Sequence, residues 1–275
     1  MLDLVGNKAI FFMSKYLLFF KNSISEAIVY RSHFFMLLVS QIISVFVFVF
    51  LWKAIYAEGN QIGGYSLNDL IVYYILSALL SFVIQGIDVA WRVGDEIRLG
   101  NITNFILRPV SHFWSTFWII AGKAFLNLIV VGIIIIPVFF FYPEFFSGDI
   151  NAIRLAGFIF SIIGALVIFM EFFYLIGLAT FWMGDAKGFN FFVRMIMFFL
   201  AGNMIPLDLL PKTLSNINNF LPFKFMAWFP IAIWSGKIKI EAEIFFPVLL
   251  WILILGIFIK YIYKKGLEKY EGFGA

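Results

Sequence analysis

The sequence predicts an all-α membrane protein. Its parts are six transmembrane helices, an N-terminal helix lying in the cytoplasmic interface, a cytoplasmic helical elbow between helices two and three, and short outer re-entrant helices before helix six. Three observations carry this reading. Of 275 residues, 63% are hydrophobic and 13% charged, against roughly 45–50% and 25% in soluble domains. The 38 Phe residues exceed what a water-soluble core of this length holds. The apolar residues also gather into runs long enough to cross a hydrocarbon core of about 30 Å.

Residues 1–33 form the first element. Ile10, Met13, Leu17, Phe20, Ile24 and Ile28 step by three or four, while Lys8, Lys15, Asn22 and Glu26 gather opposite; this is the pattern of an interfacial amphipathic helix. As a seventh span it would show that polar face to lipid. Lys15 interrupts the run, and no small-residue cleavage site follows, so a signal peptide is a poor fit. Residues 34–275 form the transmembrane domain, with runs at 34–56, 69–90, 113–142, 152–182, 188–205 and 244–263. The third run is long, so its first turns belong at the interface, with Trp114 and Trp118 as belt residues. Lys123 and Arg194 are expected to snorkel. Pro137 and Pro247 are expected to kink their spans near the outer face.

Basic residues set the orientation. Lys8, Lys15, Lys21 and Arg31 precede span one, Arg92, Arg98 and Arg108 follow span two, Lys187 and Arg194 flank the link from span four to five, and Lys264, Lys265 and Lys269 end the last span. Those segments belong inside. The connections around Gln61 and after Pro143 carry little positive charge and belong outside, as does the segment 203–243. The chain is thus expected in the cytoplasmic (plasma) membrane, multi-pass, with both termini cytoplasmic. In this setting the net charge of +4 reports topology and contact with anionic lipid, and no nucleic-acid partner is expected. The absence of Cys excludes disulfides and thiolate metal sites.

The residues of a catalytic or nucleotide site are missing. "AGKAF" at Ala121 and "SGKIK" at Ser235 lack the upstream Gly and the hydroxyl of a P-loop, and neither H-E-x-x-H nor G-x-S-x-G occurs. His33 and His112 fall at predicted span ends, where interface anchoring explains them; no metal site is expected. Glu171 is the one acid near mid-span. It either lines a pathway or acts as a hydrogen-bonded carboxyl fixing helix packing.

Two segments are patterned beyond what a simple connector needs. In residues 91–111, Val89, Val93 and Ile97 recur every four residues, so the second helix runs past the membrane on one apolar stripe, with Arg92, Asp95, Glu96 and Arg98 on other faces. Gly100 ends it. Asn101 then caps a short helix with Ile102, Phe105 and Ile106 on one face, and Pro109 stops that helix. The elbow reads as a docking element, with a solvated connector as the alternative. In residues 203–243, Pro206, Pro211, Pro222 and Pro230 divide the chain. Leu214, Ile217 and Leu221 are at helical spacing, and Phe223, Phe225, Trp228 and Phe229 crowd together. Such backbone is tolerated where protein buries it or it lines a cavity. It is an outer gate or a lipid-facing cap.

Three stretches, "DEIRLGNITNFILRPVSHF", "GLATFWMGDAKGF" and "AGNMIPLDLLPKTLSNINNFLPFKFMAWFPIAIWSGK", resemble the ABC-2 type permeases, membrane subunits of ABC exporters whose ATPase is a separate chain. The resemblance covers essentially the whole chain. It implies a permease that pairs with a second copy or a related chain, encloses the substrate pathway, and docks ATPase subunits on its cytoplasmic side. ATP and Mg would sit on the ATPase, with no cofactor on this chain. The elbow would be the coupling helix, formed by Val93, Asp95, Glu96, Ile97, Arg98, Gly100, Ile102 and Phe105. Its apolar face would enter a groove on the ATPase, and Asp95, Glu96 and Arg98 would set the register through charge pairs. Gly202, Pro206, Pro211 and Pro222 would belong to the outer gate. Two other classes remain. A secondary transporter requires a midplane ion site and helices broken within the membrane, whereas the predicted breaks cluster outside and Glu171 stands alone. A membrane-embedded lipid-modifying enzyme requires a polar catalytic cluster at one interface.

Overall fold

The computed structural model describes residues 2–57, 62–85, 88–141 and 151–270. Gln61 and residues 142–150, in the two predicted outer connections, lie outside them, as do the side chains of Lys8, Ile10, Met13, His33 and Pro137. Apart from one isolated bridge pairing Ile62 with Tyr65, every regular element among the described residues is helical. Besides short 3₁₀ turns at Leu207–Leu209, Phe223–Met226 and Ala242–Phe245, these are in chain order α1 (Leu2–Val29), α2 (Arg31–Tyr56), α3 (Leu67–Leu80), a π-helical turn at Ser81–Gln85, α4 (Val89–Arg98), α5 (Thr103–Ile106), α6 (His112–Phe141), α7 (Ala152–Leu178), α8 (Thr180–Met183), α9 (Lys187–Leu200), α10 (Lys212–Asn219), α11 (Trp228–Trp234) and α12 (Phe246–Lys269). Among the described residues, five segments are long and apolar enough to cross a membrane: Phe35–Tyr56, Leu67–Arg98, His112–Ile133, Ala152–Met183 and Ala242–Lys269.

α7 is the axis of the molecule, in contact with α4, α9, α11 and α12. Helices in lipid associate through close packing, and small residues permit it. At Gly177 a Cβ would stand 2.6 Å from the Val93 Cβ and 3.0 Å from the Ala90 carbonyl, and at Gly164 it would stand 2.6 Å from Val248 Cγ1. Glycine therefore lets α4 and α12 approach opposite ends of α7. Between these crossings Ile168, Phe169, Phe173 and Tyr174 are fully buried.

α1 packs along the first half of α6. Of the predicted stripe, Phe20 meets Trp118 and Phe125 of α6. Tyr16 and Ser23 are buried, whereas Leu17 and Ile28 are exposed. Gly122 of α6 leaves room for Ser23, and Glu26 pairs with Lys123 at 3.5 Å. Lys123 thus has a protein partner instead of snorkelling alone. Pro247 sits in the first turn of α12, where the missing N–H would be unpaired anyway, so it opens that helix and kinks nothing.

The fifth predicted run differs most. α9 has 14 residues, about 21 Å of helix, and it ends against the side of α3. A helix that stops inside the protein must have its last carbonyls satisfied, and long-range donors do this. Tyr73 Oη donates to the Gly202 carbonyl at 2.6 Å, Asn218 Nδ2 to Leu200 at 2.9 Å, and the Trp228 N–H to Ala201 at 3.0 Å. Ser77 and Ser81 both donate to Asn203 Oδ1 at 3.0 Å. Tyr73, Ser77 and Ser81 are spaced by four, so α3 and the turn after it present one polar edge here.

Gly202 adopts φ +91°, and a Cβ there would meet Tyr73 Oη at 2.9 Å and Trp228 Cβ at 3.1 Å. Gly202→Ala combines backbone strain with a clash. It is expected to lower the thermal unfolding midpoint of the detergent-purified protein by several degrees, whereas Gly188→Ala, where nothing lies within 4 Å, is expected to leave it in place.

Candidate functional site

The elbow is built as its punctuation predicts at one end and differently at the other. Gly100 closes α4 at φ +78°. α5 begins at Thr103, with Ile102 in the capping position and no side-chain cap, so Asn101 does not cap it. Thr103 Oγ1 donates back to the Gly100 carbonyl at 2.7 Å and tightens the turn.

The apolar stripe faces the protein itself. Val93, Ile97 and Ile102 are buried, because Gly177 draws α4 onto α7 and leaves that stripe no outward course. Phe105 lies edge-on to His112, with ring centroids 4.8 Å apart. The large apolar side chains the elbow shows outward are Trp91, Leu99, Ile106 and Leu107, the last 83% exposed.

His112 is no surface anchor. It is 2% exposed and joins three elements. Its Nε2 lies 2.7 Å from Glu96 Oε2 and its Nδ1 2.6 Å from Tyr174 Oη, while its ring stacks on Tyr263 of α12 at 6.0 Å and 17°. A carboxylate only accepts, so Nε2 carries the proton shared with Glu96; in the neutral imidazole Tyr174 then donates to Nδ1. Glu96 is held further by Arg92 at 3.1 Å. Asp95 pairs with Arg98 at 3.0 Å and with Lys187, at the start of α9, at 3.4 Å. Glu96 is therefore committed inside the chain, and its register-setting partner is His112. Glu96 and His112 fit no motif; a lone His at a span start, just after an acid-bearing elbow, was the available signal.

The second span is broken. After the π-helical turn at Ser81–Gln85, α4 starts afresh with the Asp88 side chain accepting the Trp91 N–H at 3.3 Å. Asn127 Nδ2 of α6 donates to the Phe82 carbonyl at 2.9 Å, serving backbone at the break. Arg194 of α9 reaches Asp88 Oδ1 at 3.2 Å, with its guanidinium 5.0 Å from the Phe173 ring. Arg194 is thus paired instead of snorkelling, and the breaks do not all lie outside the spans. Asp88 is roughly 15 Å of helix above Arg98, and its side chain remains 43% accessible. Glu171 is elsewhere. It is 5% exposed, turned toward α12 with Oε1 3.6 Å from where a Gly256 Cβ would sit, and its Oε2 has no hydrogen-bond partner.

At the opposite end, Gly202 of the predicted gate lies against Tyr73 of α3. Gly202, Pro206 and Pro222 are buried and Pro211 is exposed. Tyr65 Oη donates to Asp208 at 2.5 Å, and Lys237 pairs with the same carboxylate at 3.2 Å above the Tyr65 ring. Burial and that carboxylate push the Tyr65 hydroxyl well above the usual tyrosine range, so it stays a donor at any physiological pH. Leu214 and Ile217 of α10 are exposed, while Phe223, Phe225 and Phe229 are buried. No group of three or more metal-ligating side chains occurs among the described residues.

A sequence model of the ABC-2 family transporter proteins matches residues 42–274. No curated protein and no solved structure matches.

Proposed function

The chain belongs to the ABC-2 family of transporter proteins, and we propose that it is the permease subunit of an ATP-driven exporter. It would pair with a second permease, identical or related, and ATPase subunits would dock at its cytoplasmic elbow. The chain is an integral membrane protein with a transport role; hydrolysis, with ATP and Mg, falls to the partner, because the chain carries no P-loop. In this reading α9 is a short fifth crossing, both termini are cytoplasmic, and the host is the plasma membrane. Residues 1–33 form a flanking helix, residues 34–275 the permease domain, and 203–243 the outer gate.

The observation that carries the reading is the Glu96–His112–Tyr174 chain. It ties the elbow to α7, and through Tyr263 to α12, so a displacement of the elbow is transmitted to two long helices instead of being absorbed by a loose loop. The elbow then divides in two. Leu99, Ile106 and Leu107 enter the ATPase groove, while Val93, Glu96, Ile97, Ile102 and Phe105 hold the elbow to the membrane helices. Asp95 and Arg98 lie between, paired with each other and open to the partner.

The test is co-purification with a separately expressed P-loop ATPase, followed by ATP hydrolysis in lipid. Leu107→Asp places a charge in an apolar contact and is expected to weaken ATPase binding at least tenfold while leaving insertion intact. Unchanged binding in Leu107→Asp and Ile106→Asp would remove the elbow as the docking element.

The pathway belongs on the face that exposes Asp88 and Arg194, since an accessible ion pair within a span faces protein or water and not lipid. Glu171 then serves packing. Glu171→Leu is expected to preserve ATP-driven turnover and raise thermal stability, because it removes an unpartnered buried oxygen. Loss of turnover at full stability would return Glu171 to the pathway.

A further inference from the structure

In the stretch "GLATFWMGDAKGF", Gly177 admits α4 and Lys187 pairs with Asp95 of α4. Between them Thr180 of α8 turns the same way. It is 4% exposed, and its Oγ1 lies 2.9 Å from where a Gly94 Cβ would stand, yet that hydroxyl has no hydrogen-bond partner in the protein. In the first turn of α9, Asn190 is 2% exposed. Its Oδ1 has no partner either, and its Nδ2 leans toward Asp88 without closing a hydrogen bond. Thr180 and Asn190 line one pocket of about 10 Å³, which Gly94 and Asp95 of α4 also border. Burying one such group unanswered is costly, and here two border the same small space.

We propose that this pocket holds a single water molecule that joins α8 and α9 to the elbow helix α4. Roughly 10–15 Å³ of such space admits one water, which needs two to four polar partners. The water accepts from Thr180 Oγ1, donates to Asn190 Oδ1, and has its second hydrogen for the Asp95 carboxylate in the same lining. The space is too small for a larger ligand, and a cation would meet Arg98 and Lys187 in the pocket wall. Gly94 keeps the site open, because a Cβ there would press on the Thr180 hydroxyl. The elbow helix is then seated directly on α7 at Gly177 and through water on α8 and α9. A bridging water is nearly as good as a direct hydrogen bond. The assignment does not depend on the exporter reading.

The test is a double-mutant cycle on the thermal unfolding of the detergent-purified permease, without ATPase. Thr180→Val keeps the shape and removes the donor, and is expected to lower the midpoint by a few degrees, whereas Thr180→Ser keeps the hydroxyl and the midpoint. Asn190→Leu is expected to lower it as well, and the double variant should fall no further than the lower single one, because one water can be lost only once. In a dry pocket Thr180→Val would instead delete an unpartnered hydroxyl and raise the midpoint. A midpoint raised or unchanged in Thr180→Val, or losses that add in the double variant, overturns the proposal. A crystallographic or cryo-EM map that resolves ordered water gives a second readout free of any folding loss. It should show one water between Thr180 and Asn190 in the parent and none in Gly94→Ala; a parent map that shows other buried waters but none here also overturns it.

Discussion

His112→Ala is expected to leave the permease inserted and bound to the proposed ATPase partner while cutting permease-dependent turnover by tenfold or more. The substitution removes both hydrogen bonds of the imidazole at once. Tyr174, fully buried, loses its acceptor, and Glu96 keeps only Arg92. Each buried group left unpaired costs about 1–3 kcal/mol, and the loss falls where hydrogen bonds and ring stacking join the elbow to α7 and α12. The outward residues Leu99, Ile106 and Leu107 are untouched, so binding survives. A purely structural histidine would lose stability and turnover together. The distinguishing measurements are therefore ATPase affinity beside turnover, in His112→Ala and in Tyr174→Phe, which removes one of the two bonds and is expected to fall between.

Arg194→Leu is expected to be the most damaging single change within the spans. It leaves Asp88 without its cation; breaking a fully buried pair costs about 3–5 kcal/mol, and with the Asp88 side chain 43% accessible the cost here is about 1–2 kcal/mol. Asp88 also caps α4, so the disturbance reaches the start of the elbow helix. Expression should fall and the unfolding midpoint should drop. Asp88→Asn in the same chain removes the stranded charge while keeping a capping oxygen, and should recover most of the loss. A double variant no better than Arg194→Leu would mean that Arg194 acts through something other than Asp88.

How much of this was legible in the sequence depends on how far away each partner lies. The runs that became α2, α6 and α12 are recognisable from local apolar length, and Gly100 from its place after an apolar stripe. The short course of α9 is not local. Its ending depends on Tyr73, Asn218 and Trp228, donors brought from three other parts of the chain, although the four-residue repeat of Tyr and Ser on α3 could have signalled a polar edge. The break in the second span is similar, since Asn127 comes from α6. Periodicity identified the stripe through Val89, Val93 and Ile97 but not its destination. A helix face bound for its own core and one bound for a partner carry the same pattern, and Gly177, which decides between them, lies about eighty residues further along. His112 was misjudged for the same reason, because its partner Tyr174 is 62 residues away.

The central claim is that the elbow drives the outer end through His112. The chain has no Cys, so a single cysteine at the exposed Ile217 of α10 carries a spin label in each permease of the reconstituted exporter, and the distance between the labels is measured with the ATPase empty and trapped with ATP and vanadate. The account predicts a shift in that distance in the parent protein and none in His112→Ala, although the ATPase remains bound in both. The same shift in His112→Ala would contradict it.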